Sequence, residues 1–349
     1  MDADALDSRP SERGGFWQRL ARRLGLADAE PLDEPRPAWA TPGANVLGPS
    51  RSVGPQLWVR GSTLRELVTQ RVPMGLLHEP RVLPSPHRYV AHTLGVSFDP
   101  RTQEWRSRTL PELPALFEGE HTGAEVAFAG TLMPGPSVLP VPLYGDVVRL
   151  EVLDADPALV RAVGRMPAGS AVVEVRGGAP LKIRYDVALR RPPTLTDAHM
   201  PDLGLGGPTL PRERLPAEVR AWLEHNAAGD RGSWELARRV EAFVQRRYVY
   251  DPEFRERPEV ERAAKELRAG EGNHHLALLH ASASGEALGH GVCYELNVLV
   301  VELLRHLGVP AMVAIGWMLD EGFADRPDHL FALAVVPSTT GPCLLPLDA

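Results

Sequence analysis

Hydrophobic positions follow two different periods along this chain, one on each side of a Pro- and Gly-rich stretch at 192–212. From about Gln56 to Arg191 the alternation is every second residue. In DVVRLEVL, Asp146–Leu153, Val148, Leu150 and Val152 fall on one face and Arg149 and Glu151 on the other. In LKIRYDVALR, Ile183, Tyr185, Val187 and Leu189 alternate with Lys182, Arg184 and Asp186. Successive side chains of a strand point to opposite faces, so a period of two marks a half-buried strand. AVVEVR at 171–176 and the GGAP that follows it predict a hairpin with 181–190. VSFDPRTQEW at 96–105 predicts another, about a Pro-containing turn. The expectation for 56–200 is a mostly-β domain, a sandwich or partial barrel, with no chemical constellation of its own.

Beyond 212 the period becomes helical. LPAEVRAWLEHNAA, Leu215–Ala228, places Val219, Trp222 and Leu223 together. In SWELARRVEAFVQRRYVYDP, Leu236, Val240, Phe243 and Val244 recur at i, i+4, i+7 and i+8, with Ser233 as the expected cap and an end near Tyr248. PEVERAAKELRAG, 258–270, predicts a shorter helix with a proline start and a glycine stop. Leu296, Val300, Leu303, Leu304 and Leu307 then predict a helix from Cys293 to Leu307. Arg305 and His306 sit in its last turn, Gly308 follows and Pro310 blocks continuation. Three apolar strands close the pattern: AMVAIGWM at 311–318, HLFALAVV at 329–336 and CLLPLDA at 343–349. The polar LDEGFADRPD and the turn-like PSTTGP separate them. Residues 1–55 predict a flexible tail, with one amphipathic patch, GFWQRLARRLGL at 15–26, and a Pro-rich linker at 30–50.

Composition narrows the function classes. The 34 prolines in 349 residues are roughly twice the usual share of ~5%, which fits a chain rich in turns and extended segments. A net charge of −7 without a basic run gives no footprint for nucleic acid. No run approaches the ~18 apolar residues of a membrane span, so no integral membrane segment is expected. The first residues, MDADALDSRP, lack the apolar core of a signal peptide. Cys293 and Cys343 alone make no disulfide framework. Together these predict a soluble, cytoplasmic protein. His274, His275, His280 and His290 lack a paired-ligand spacing. No metal and no cofactor is expected.

The position of Cys293 carries the chemistry. A merely buried cysteine belongs inside an apolar run, but this one opens a helix. There the unpaired backbone N–H groups and the positive end of the helix dipole favour thiolate and can hold an oxyanion, the Cys293 N–H among them. Gly289 and Gly291 would let a substrate backbone approach. A nucleophile needs a base and the base an orienter. His329 opens the second of the final strands and Asp348 closes the third, and pairing of those strands across a short turn can bring the two together, though strand length alone does not fix it. Taken singly, these are a small core residue, a strand-edge histidine and a solvated acid; in this order they suit nucleophilic catalysis. Glu295 and Asn297 are expected to brace the helix start, and Cys343 to fill a strand.

GVCYELNVLVVELLRHLGVPAMVAIGW, then DHLFALAV, then LLPLDA resembles the core of the transglutaminase-like superfamily. The shared pattern is G-x-C opening a helix, an L-L-R-x-x-G-x-P-A close, a Gly-aromatic strand, a histidine strand and a final hydrophobic-x-Asp. VQRRYVYDP resembles the segment that precedes that core. The resemblance covers about 212–349. It implies an α+β fold, with a C-terminal transglutaminase-like (papain-like) catalytic domain and a triad in which Cys293 is nucleophile, His329 base and then acid, and Asp348 orienter. It further implies a cysteine protease or acyltransferase acting on a peptide or protein amide through a thioester, which water hydrolyses or an amine transamidates. This chain has His329-Leu330-Phe331 where family members usually have His-Ala-Trp, and it stops one residue after Asp348 where relatives commonly continue. Both departures support a rival expectation, a catalytically inactive binding or scaffold protein. GVCYELN is also similar to arylamine N-acetyltransferases, but those carry the cysteine early and a large region after the aspartate.

Overall fold

Apolar runs with no polar alternation cannot leave either face to water. Those near the end of the chain form a sheet that is buried on both sides. The structure, a computed structural model, describes residues 74–76, 83, 85–106, 119–165, 168–227, 231–268, 270–319 and 329–349. The expected tail, the amphipathic patch at 15–26, the linker at 30–50 and most of the polar stretch before His329 lie outside the described residues. The fold is α+β. Its strands in the N-terminal half are β1 (Met74–Leu76), β2 (Tyr89–Gly95), β3 (Ser97–Asp99), β4 (Glu104–Arg106), β5 (His121–Leu132), β6 (Gly135–Leu139), β7 (Gly145–Val152), β8 (Val160–Arg165), β9 (Ala171–Val175) and β10 (Leu181–Arg190).

The strands of the N-terminal half build two main sheets, ordered β1-β5-β10-β7 and β6-β9-β8. Strand β10 keeps its predicted alternation: Ile183, Tyr185 and Val187 are fully buried between half-exposed Lys182, Arg184 and Asp186. Tyr185 lies opposite Phe128 with the rings stacked 4.9 Å apart, and its hydroxyl donates to Pro140 O at 2.8 Å. The hairpin expected over 171–190 does not form. Strand β9 is flanked by β6 and β8, and β10 by β5 and β7, so the two belong to different sheets. Alternation states which face a strand buries, not which strand it pairs with. Val148 also departs from expectation and is 37% exposed. The ladder slips between Asp186 and Val187, opposite Arg149 and Val147, and the bulge turns Val148 outward. The expected hairpin at 96–105 does form, as β3 and β4, with Gln103 in its turn at φ 59.

The helical half contains α1 (Ala217–Ala227), α2 (Ser233–Arg247), β11 (Tyr248–Tyr250), α3 (Pro258–Glu266), α4 (His274–Ala281), β12 (Gly289–Gly291) and α5 (Cys293–His306). The strands β13 (Ala311–Met318), β14 (His329–Ser338) and β15 (Gly341–Leu347) follow. Ser233 is not the cap of α2. Gly232 holds that position, and the buried Ser233 hydroxyl accepts from Met200 N at 2.7 Å. The histidine-rich segment, expected to be loop, contains α4, whose first turn is capped by Asn273 Oδ1 on His275 N and Leu276 N. Helix α5 buries nearly its whole circumference, with only Tyr294 and His306 less than fully covered.

The final sheet is antiparallel, in the order β15-β14-β13-β2. Its fourth strand, β2, comes from the N-terminal side of the Pro/Gly-rich stretch, so 192–212 does not separate two sets of strands. Val90 of β2 and Trp317 of β13 join the same apolar core as Phe128, Leu150 and Tyr185. The helices α5 and α2 cover the other face.

Candidate active site

The site is built from the start of α5 upward. Strand β12 pairs in parallel with β11, Tyr248 opposite Gly289 and Tyr250 opposite Gly291, and delivers the chain to Val292. The two glycines do not line an approach for substrate. Both are buried, and a Cβ on Gly291 would meet Glu295 Cβ and Leu279 Cδ1 at 2.9 Å, while one on Gly289 would meet the Leu279 carbonyl. They are small because α4 and α5 pack there. Cys293 then occupies the first helical position, a free thiol 8% exposed.

Glu295 braces that turn. Its buried carboxylate accepts from Val292 N at 3.4 Å and from Arg255 Nη2 at 2.5 Å, with His275 Nδ1 at 3.4 Å. Burial opposes its ionisation, but the His275 and Arg255 interactions outweigh burial and hold the carboxyl below its ordinary range. The His275 ring packs 4.4 Å from that of Tyr294. His290 is engaged with Ser284 Oγ at 2.8 Å and Arg257 Nη2 at 3.1 Å, and His280 with Tyr248 Oη at 3.1 Å. His274 Nε2 lies 2.9 Å from Arg268 O, so all four histidines are structural partners around α4 and the start of α5.

The imidazole arrives from the adjacent sheet. His329 is the first residue of β14, and Asp348 follows the last residue of β15. His329 Nε2 lies 2.9 Å from Asp348 Oδ2, with side-chain exposures of 15% and 17%. The Cys293 thiol lies near enough to the same ring to act on its charge. Because Nε2 is committed to the carboxylate, Nδ1 is the nitrogen left for sulfur. Burial works against charge on His329, yet the bonds to Asp348 and Cys293 prevail and raise its pKa well above the ordinary value. The arrangement favours the protonated ring.

Three further residues meet Asp348 that the sequence pattern does not single out for it. Asn297 Nδ2 donates to Asp348 Oδ1 at 3.0 Å and to Leu330 O at 2.9 Å, and its Oδ1 accepts from Ala349 N at 3.1 Å. Glu241 Oε1 on α2 accepts from Asp348 N at 2.9 Å, and Gln245 Nε2 donates to Asp348 O at 2.8 Å. Asn297 could have been found from its i+4 spacing to Cys293, which puts both on one helix face. Tyr89, at the start of β2, has no such signal. Its ring lies 4.9 Å from that of Phe331, its hydroxyl accepts from Arg88 Nη2 at 2.8 Å, and burial followed by the nearby Asp348 charge raises its pKa. Phe331 itself is fully buried beneath Tyr89 and 6.1 Å from the His329 ring. Cys343 is buried in β15, paired opposite Val336, and its thiol pKa is pushed up by burial.

A separate open cleft of about 430 Å³ lies along α1 and α2, lined by Trp222, His225, Arg238, Arg239 and Arg246 among others, and includes none of Cys293, His329 and Asp348. Among the described residues no helix is long and apolar enough to cross a membrane.

No family model and no curated protein matches the chain. Two solved structures are similar to it, both of the periplasmic domain of TgpA from Pseudomonas aeruginosa. One, bound to ethylmercury, is 15% identical with a TM-score of 0.45 and covers 81% of this chain and 91% of its own. The other is 12% identical with a TM-score of 0.47 and covers 90% and 94%. Both are periplasmic domains, which overturns the cytoplasmic placement expected from the sequence; a polar run of opening residues records no compartment.

Proposed function

We propose that this chain is a transglutaminase-like cysteine enzyme that transfers the acyl group of a peptide or protein amide through a thioester. The carrying observation is the His329 ring held between the Asp348 carboxylate and the Cys293 thiol, with that thiol at the first turn of a helix. The catalytic unit comprises 212–349 together with β2. In the first half-reaction the thiol proton resides on His329 Nδ1 and the sulfur attacks the amide carbonyl carbon. The C–O π pair moves to oxygen, where the free N–H groups of the α5 N-terminus face the developing charge. Collapse of that adduct breaks the C–N bond as His329 Nδ1–H protonates the departing amine, leaving the thioester and a neutral imidazole. Water or an amine then attacks the thioester carbonyl, His329 takes its proton, and the thiol is returned. Asp348 stays ionised throughout, holding Nε2–H and stabilising each imidazolium stage.

A second reading keeps the fold without turnover. The observation in its favour is the 8% exposure of Cys293, which leaves little of the sulfur open to a carbonyl. Alkylation by iodoacetamide separates the two. In an enzyme, Cys293 reacts well below pH 8, against a free-thiol pKa of ~8.5, and His329→Ala abolishes that fast low-pH reaction. Release of ammonia or amine from a glutamine-bearing or amide-capped peptide library, lost in Cys293→Ser, completes the test. Slow alkylation that is indifferent to His329 supports the scaffold.

A further inference from the structure

Asn297 stands one helical turn beyond Cys293 on α5 and is 0% exposed. Its side chain is fully determined. Nδ2 carries two hydrogens, and both are used, on Leu330 O at 2.9 Å and Asp348 Oδ1 at 3.0 Å; Oδ1 accepts from Ala349 N at 3.1 Å. A flipped amide would turn an oxygen toward two acceptors and a donor toward an N–H, so only one orientation satisfies the site. The terminal torsion of an aspartate is by contrast soft and roughly two-fold. With Oδ1 of Asp348 tied to Asn297, that torsion is fixed and Oδ2 faces His329 Nε2 at 2.9 Å. One helix therefore carries the sulfur at its tip and, a turn later, the group that orients the carboxylate and grips the backbone next to His329.

We propose that Asn297 is a positioning residue of this site, locking Asp348 so that the Nδ1 edge of His329 stays turned to Cys293. This rests on the triad reading above. Three elements, α5, β14 and the residues after β15, meet at this one amide, so the separation of sulfur and imidazole is set by Asn297 rather than by the sheet alone. A displacement of about 1 Å between reacting groups costs up to ~100-fold in rate, which gives such a lock its value.

The test is a cycle of four purified full-length proteins: wild type, Asn297→Leu, Asp348→Ala and the double variant. Leucine keeps the branched outline of asparagine, in a somewhat larger volume, and removes its hydrogen bonds. The readouts are the second-order rate of Cys293 alkylation by iodoacetamide between pH 5 and 9 and the titration of the His329 ring by NMR. We expect Asn297→Leu to slow alkylation at pH 7 by about tenfold and to move the His329 titration down toward the ordinary ~6.5. In the Asp348→Ala background the same substitution should change the rate less than about twofold, because no carboxylate remains to be held. Equal losses with and without Asp348 would show a merely structural asparagine and overturn the inference. So would an unaltered rate and titration in Asn297→Leu. If the leucine variant does not fold, Asn297→Ala, which leaves room for water, carries the same cycle. His329→Ala separates the two levels: if it leaves alkylation unchanged, the triad reading itself fails. If it slows alkylation and Asn297→Leu does not, only the positioning role falls.

Discussion

His329 Nε2 and Asp348 Oδ2 approach to 2.9 Å although the ladder between β14 and β15 ends earlier, at Ala332 and Leu347. The carboxylate lies past the last ladder pair and reaches back along β14, guided by Asn297 and Glu241. The bond is therefore made by side chains beyond the sheet, and its charge matters as much as its geometry. Asp348→Asn keeps the shape and removes the charge. At pH 7 it should slow alkylation of Cys293 by about tenfold or more, tenfold corresponding to ~1.4 kcal/mol of lost ion pairing. An iodoacetamide rate equal to wild type would mean that Asp348 does not support the imidazolium.

The raised pKa of His329 fixes a pH dependence of stability. The folded state binds this proton more tightly than the unfolded state, whose ring titrates near ~6.5. The resulting stabilisation is fully present below about 6.5. It is lost as pH rises through the higher folded value. Denaturant titrations of wild type and His329→Gln should show a gap that is largest below about pH 6.5 and shrinks as pH rises beyond it. A gap that widens with pH would reverse the assigned direction.

How much of this molecule is legible in its sequence depends on how local the determining contacts are. Helix α5 is legible because its apolar spacing, its basic last turn and Gly308, at φ +75, all act within a few residues. The approach of Asp348 to His329 is legible because β14 and β15 are joined by only Thr339 and Thr340. The partners of β9 and β10 are not legible, since both strands are apolar enough to pair with several others. Nor is the joining of β2 to β13, a pairing more than 200 residues apart that brings Tyr89 beside the site. Helix α4 is obscured by its three histidines, which read as loop chemistry until Asn273 is seen to cap it.

Arg305 closes the far end of α5. Its buried guanidinium donates to Ala311 O, Gly207 O, Val96 O and Leu205 O at 2.6–3.1 Å and packs 5.2 Å over the Trp105 ring. Burial draws its pKa down to about 10, so it remains charged at neutral pH. No neutral side chain could satisfy four convergent carbonyls. Arg305→Met should cost at least about 3 kcal/mol of unfolding free energy, since each acceptor left unpaired costs ~1–3 kcal/mol. Urea denaturation measures it, and a loss under about 1 kcal/mol would show that water replaces the guanidinium.

At Gly316 the backbone of β2 packs directly against β13. A Cβ there would overlap the Val90 carbonyl and stand 3.1 Å from His92 N, at the irregularity where the register skips His92. Backbone cannot move aside as a flexible side chain can. Gly316→Ala should therefore loosen β2, with a loss of about 2 kcal/mol or more. Hydrogen exchange should show lost protection of the β2 amides while those of the β14–β15 ladder hold. Unchanged protection of Ala91 and Thr93 would mean that the strand shifts without detaching.

His92, the residue skipped in that register, is buried at 4% exposure beside Trp317, ring centroids 5.5 Å apart, and neither of its nitrogens has a hydrogen-bond partner among the described residues. Burial alone lowers its pKa to about 4. The sign is opposite to that of His329. Between ~6.5 and 4 the unfolded ring takes up a proton that the folded ring refuses, so stability falls as pH falls through that window. The full shift corresponds to roughly 3 kcal/mol. His92→Phe removes the proton uptake and keeps a ring in place. Its unfolding free energy should fall less steeply than wild type between pH 7 and 4, while His280, also held near 4, leaves part of the slope in both proteins. Parallel pH profiles for the two proteins would show that water or a partner reaches the His92 ring and that its burial carries no acid sensitivity.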